Sequence, residues 1–144
     1  MVNSEEVYEL YKKYVPVQEG SNVDALLQQA ALVHQTIAGN KEELREDNAL
    51  MTLAFVSLSH LQYSKEGSYG RSWCKRGEQD IFFNMARKFD RLENMTLHSK
   101  ADEVGESKVD TVGDEANYGM LWVTYILRNN PADFVKWLQG NTAS

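Results

Sequence analysis

Four helix-start signals punctuate this chain of 144 residues, each ahead of apolar residues spaced three and four apart, and that punctuation confines it to an all-α fold. Asn3 precedes Glu6 by three positions, Ser21 precedes Asp24 and Asn40 precedes Glu43. Near the end Asn130, Pro131 and Asp133 form the cleanest start of all, because proline at the first helical position gives up an N–H that would have no partner anyway. No alternating apolar and polar run of strand length lies between hairpin turns. The expectation is a single all-α domain over 1–144, a bundle of about five to six helices.

The periodicity predicts a first helix over about Ser4 to Tyr14, closed by Pro16, and a second from Ser21 to Gly39 carrying Leu26, Leu27, Ala30, Val33 and Ile37. A third is predicted from Asn40 to about Ser64, with Leu44, Met51, Phe55 and Leu58 on one stripe widened by Leu50, Ala54 and Leu61, as befits a central helix. KEGSYGRSWCKRG, from Lys65 to Gly77, reads as an ordered loop. A fourth helix runs from Glu78 to about Leu97 and buries Ile81, Phe82, Met85, Phe89 and Leu92. The polar segment of about 99–109 is expected to be a mobile acidic loop. The fifth helix, about Thr111 to Arg128, contains GMLWVTYIL, apolar on almost every side and therefore expected to be buried all round. A short sixth helix through Leu138 ends at Gly140.

Composition removes several functional classes. The most apolar stretches, Ala49 to Val56 and Met120 to Val123, fall short of the roughly 20 residues of a membrane span. The acidic start is unlike a signal peptide. A cytoplasmic protein is therefore expected. The lone Cys74 makes neither an internal disulfide nor a multi-cysteine zinc site. A net charge of −6 argues against binding duplex nucleic acid, which rests on a surplus of Lys and Arg.

Carboxylates on the most apolar helix are the informative residues, since burying one without a partner costs several kcal/mol or forces its protonation. Asp110, Asp114 and Asn117 fall on one stripe of the fifth helix, continued by Leu121 and flanked by Tyr118 and Tyr125, with Val112, Ala116, Val123 and Leu127 opposite. The fourth helix offers Asp90 and Glu93 beside Arg87 and Lys88. Two antiparallel helices presenting two carboxylates each are able to hold Mg2+ through oxygen ligands at about 2.1 Å. The plainer reading makes Asp110 a cap, Asp114 a partner of the helix dipole and RKFDRLE a solvated face. A third acidic cluster, Glu42, Glu43, Glu46 and Asp47, is explained by its place at a helix start. The loop YGRSW brings Tyr69, Arg71 and Trp73 together as a stacking and phosphate-binding set, or else as a plug for the bundle end. His34, His60 and His98 lack ligand spacing, and no phosphate-binding loop or nucleophilic triad is present.

YGRSW, MARKFDRLE and DTVGDEANYGML, in this order between Ser64 and Leu127, resemble the phage and bacterial nucleotide modification associated domain family, a small all-α group. More distantly, DTVGDEANY is similar to the second acidic motif of MazG-like all-α NTP pyrophosphatases, with Asp90 and Glu93 standing where their first acidic pair lies. Asp114 matches the final Asp of that motif; Thr111 stands at its Glu position, with Asp110 one residue off register, and Asp90 replaces a leading Glu.

The resemblance implies a Mg2+-dependent nucleotide pyrophosphohydrolase, or an accessory of phage nucleotide modification. In it Asp90, Glu93, Asp110 and Asp114 would hold the metal, with Asp114 and Glu93 central to catalysis. Tyr69, Arg71, Trp73, Arg87, Lys88, Asn117 and Tyr118 would contact the nucleotide. MazG-like proteins complete their sites across subunits, so a homo-oligomer is part of the same expectation. The other reading is a non-catalytic phage protein that sequesters a nucleotide signal or binds a host protein, favoured by Thr111 at a ligand position.

Overall fold

A computed structural model describes residues 1–40, 43–69, 71–98 and 107–141, with side chains for all of these but 66–69. Among them are six α-helices, one turn of 3-10 helix and no strand, as the capping signals lead one to expect. The helices are α1 (Ser4–Tyr14), α2 (Asn22–Ala38), α3 (Glu46–Tyr69), α4 (Glu78–Leu97), α5 (Lys108–Asn129) and α6 (Pro131–Asn141), with the 3-10 turn at Ser72–Cys74. The chain divides into two units, Met1–Leu61 and Gln62–Ser144, and α3 passes from the first into the second.

In the first unit the caps act as their sequence implies. Asn3 accepts from the Glu6 amide at 2.9 Å, Ser21 accepts from the Asp24 amide at 3.1 Å, and Gly39 ends α2 at a φ of +57°. Val7, Leu10 and Tyr11 of α1 meet Leu27, Ala30 and Ala31 of α2 and Ala49 of α3 in one core. Each fully buried large side chain there is worth about 1.5–3 kcal/mol. The Tyr11 hydroxyl donates to the Ala49 carbonyl at 2.7 Å, and Thr52 faces His34 at 2.8 Å. These two contacts turn the small side chains of α3 inward, so Met51 and Phe55, expected in the core stripe, are exposed. Leu44 and Leu50, expected on the same stripe, do pack against the core, together with Leu53 and Val56.

The bounds of α3 also differ from the reading. It begins at Glu46, where two acids fill the first turn, and not at Asn40. It continues five residues past Ser64, because an established helix propagates through good formers such as Lys65 and tolerates one glycine at a cost of about 1 kcal/mol.

In the second unit α4 packs along α5, and α6 packs on α5. Gly77 precedes α4 at a φ of +82° and a ψ of −158°, a conformation essentially restricted to glycine. Ser107 caps α5 in a reciprocal capping box with Asp110, so this helix starts at Lys108, inside the segment expected to be mobile. Residues 99–106 of that segment lie outside the described residues. Helix α6 runs on through Gly140 to Asn141. The burial of α5 departs most from expectation. With α4 and α6 packed against it, the stripe through Thr111 and Asn117 is buried, whereas Val112, Val123 and Leu127 are exposed. On α4 only Ile81 is buried; Phe82 and Phe89 are 53% and 60% exposed.

Candidate functional site

The chemistry of the second unit concentrates where α4 faces α5. Lys88, on the α4 side, places its ammonium 2.9 Å from Oδ2 of Asp114, and Lys65, near the end of α3, reaches Oδ1 at 3.4 Å. All three side chains are partly buried. Burial alone would raise the Asp114 carboxyl, but the hydrogen bond and charge of Lys88, reinforced by Lys65, outweigh it and hold the group below its ordinary value. Two ammonium groups thus share one carboxylate, and the charge of Lys88 acts on the neighbouring Glu115 as well.

One turn further along α5, Asn117 is only 3% exposed, and both its amide nitrogen and its amide oxygen are buried without a hydrogen-bond partner. Leaving such a group unsatisfied costs about 1–3 kcal/mol. Next to Asp114, Glu115 turns to a different face of the helix. Its Oε1 is buried without a partner, and burial pushes its carboxyl up, offset only in part by the charge of Lys88. Glu115 lines an open groove of about 400 Å³ together with Phe82, Phe89, Asp90 and Trp122. The indole N–H of Trp73, beside α4, is a further buried donor without an acceptor.

The residues singled out from the sequence are distributed as follows. Lys88, Asp114 and Asn117 come together. Asp110 is spent on the cap, its carboxylate accepting from the Ser107 amide at 3.2 Å and from the Ser107 hydroxyl at 3.1 Å. Asp90 and Glu93 are exposed, and Asp90 alone of the two borders the groove. Arg71 is exposed and directs its guanidinium to the Cys74 sulfur at 3.5 Å; Arg87 is exposed and donates to Asn84. Trp73 and Tyr118 are half-buried. Tyr69 is the last residue of α3, and its side chain lies outside the described residues, as do Gly70 and Glu42.

This donor set does not fit Mg2+ as arranged. The ion requires near-octahedral oxygen ligation at about 2.0–2.1 Å. Of the four expected ligands, Asp114 is engaged by two ammonium groups, Asp110 by its cap, and Asp90 and Glu93 stand at the surface. Among the described residues no three of His, Cys, Asp and Glu are grouped so as to hold a metal.

Lys65, Glu115 and the aromatic groove escaped the sequence reading. Nothing local points to Lys65, whose partner is 49 residues away. Glu115 did leave a trace, since Trp122 follows at i+7 and shares its face of the helix.

Comparison with known proteins adds one relative. The chain is similar to the Gene 30 protein of Bacillus phage SP01, 36% identical over 121 aligned positions that take in 69% of this chain and 54% of that protein. The chain therefore spans about half the length of the curated relative it matches. No protein-family model matches it, and no solved structure matches it. Among the described residues no helix is long and apolar enough to cross a membrane.

Proposed function

We propose, from the similarity to a phage protein and from the chemistry of α4 and α5, that this chain is a phage nucleotide-binding protein whose second unit grips phosphate oxygens with Lys88 and Lys65. One observation carries the reading: two ammonium groups converge on a single carboxylate beside a buried, wholly unsatisfied amide. Lysine serves phosphate as a point charge, and Asp114 holds both ammonium groups in place until a more highly charged anion competes for them. The Asn117 amide offers N–H donors beside a carbonyl acceptor, a combination that a base or sugar edge satisfies. The YGRSW, MARKFDRLE and DTVGDEANYGML resemblance points to the same substrate class.

With its carboxylates dispersed, the chain suits sequestration of a nucleotide better than metal-dependent hydrolysis. Titrating the purified protein with nucleoside triphosphates by calorimetry, with and without Mg2+, while following pyrophosphate release, tests both. The expected result is saturable binding without turnover, weakened about tenfold or more by Lys88→Ala, the scale of a lost charge-assisted hydrogen bond. No heat and no thermal shift with any nucleotide at millimolar concentration would sink the reading. Turnover lost in Asp114→Ala would restore the hydrolase.

A further inference from the structure

The groove beside Glu115 is separate in character from the lysine cluster and has the makings of a base pocket. Its walls are aromatic, Phe82 and Phe89 from α4 and Trp122 from α5, and planar bases stack on such faces irrespective of their identity. Its polar groups are two carboxylates, Asp90 and Glu115, which in their ionised form only accept hydrogen bonds. Oε1 of Glu115 is buried and has no donor. Lys88 links the two places, since it pairs with Asp114 and its charge also acts on Glu115.

We propose that this groove reads the base of the bound nucleotide and that the base is guanine, its N1–H and exocyclic amine donating in parallel to the Glu115 carboxylate while the ring lies against Phe89 and Trp122. The inference rests on the nucleotide reading above and names its substrate class. Guanine presents two adjacent donors on its pairing edge with no acceptor between them, the complement of a carboxylate. Adenine and cytosine set a ring-nitrogen acceptor beside their amine, and uracil flanks its single N–H with two carbonyls, so each of these turns a lone pair toward the carboxylate. Burial pushes the Glu115 carboxyl up, and two hydrogen-bond donors facing it would favour the ionised form that accepts from them. An organic cation would answer the same acids, but Lys88 already supplies positive charge to Glu115 and repels a second.

The test is a set of titrations of the full chain with GMP, AMP, CMP and UMP, read by tryptophan fluorescence and by calorimetry. GMP should bind at least about tenfold more tightly than the other three. Glu115→Gln, which sets a donor against one of guanine's donors, should bring GMP down to the level of AMP or below, while AMP, whose amine and ring nitrogen an amide complements, should hold or tighten. Lys88→Ala should weaken all four alike. Phe89→Ala, at a half-exposed position that the fold tolerates, should also weaken all four, through lost stacking. Equal binding of the four nucleotides, or a Glu115→Gln effect common to all of them, overturns the guanine assignment and leaves nucleotide binding standing. Failure of all four to bind overturns this inference, and failure of the triphosphates as well removes the nucleotide reading with it.

Discussion

Asn117 and Asp114, three residues apart on one helical stripe, illustrate opposite ways of burying a polar side chain. Asp114 meets two lysines, and the pairing keeps its carboxyl ionised. The Asn117 amide has no hydrogen-bond partner. Replacing Asn117 by Leu, of similar volume, should therefore raise thermal stability by about 1–2 kcal/mol, since an unsatisfied amide gives way to an apolar group. The same change should weaken nucleotide binding. Calorimetric melting with and without ligand checks the two together, and a destabilised Asn117→Leu protein would show the amide to be better satisfied than it looks. Asp114→Asn should act the other way. It leaves the Lys88 ammonium without its counter-charge and, at this partly buried position, should cost about 1–2 kcal/mol, well under the 3–5 of a fully buried pair. Trp73, Trp122 and Trp137 all belong to the second unit, so tryptophan fluorescence during urea unfolding reports on it directly.

At the scale of the element, helix ends carry the clearest energetic consequences. Ser107 and Asp110 satisfy each other's backbone donors, and this capping box starts α5 at Lys108. Ser107→Ala should cost about 1 kcal/mol, with faster amide exchange confined to the first turn of α5. Gly77 tests backbone rather than capping. A Cβ there would meet only the Tyr125 hydroxyl, at an ordinary 3.7 Å, so any loss from Gly77→Ala comes from the φ of +82° and should amount to about 1–3 kcal/mol. Gly119→Ala, in a helical conformation with open space around it, is the control and should be neutral or stabilising by roughly 1 kcal/mol. A melting temperature that falls for both variants would contradict this account of Gly77.

For the whole molecule, the buried ionisable groups set the pH range of stability. Asp24 is held below its ordinary 3.8 mainly by the Tyr8 hydroxyl and the Gly20 amide, and Asp114 lies below it through its lysines. Burial holds His34 below 6.5. Thr52 donates to the Asn48 carbonyl, so it accepts from His34 Nδ1–H. All three groups bind protons more readily in the unfolded chain, so their contribution is complete above the ordinary values and is lost as pH falls through the folded ones. The histidine part should begin to fade below about pH 6.5 and the carboxylate part below about pH 4. Burial raises Tyr11 to about 12, which keeps its stabilisation intact below pH 10 and removes it between pH 10 and 12. Urea unfolding across pH should show both limbs. His34→Gln should flatten the first part of the acid limb, and Tyr11→Phe the alkaline one. A pH profile unchanged in Tyr11→Phe would contradict the alkaline assignment.

Much of the fold was legible because helix capping and 3.6-residue periodicity are local. Asn3, Ser21 and Pro131 mark where helices begin, and they do so through contacts within three or four residues. The start of α3 was misplaced because Asn40 and Glu43 make an equally plausible cap, and nothing local ranks it against Glu46 and Asp47. Half of the site was legible for the same kind of reason. Lys88, Asp114 and Asn117 stand out as polar groups attached to an apolar helix, whereas Asp110 reads as ligand or cap until its partner Ser107 is seen.

The all-α architecture, the order of the helices and the polar stripe on α5 were thus determined by sequence alone, because each depends on neighbours a turn or less away. Which apolar face of α3, α4 and α5 is buried, that Lys65 closes on Asp114 across 49 residues, and that Glu115 lies bare in an aromatic groove were decided by tertiary structure. A helix with apolar residues on several sides has more than one way to pack, and only the helices set against it choose among them.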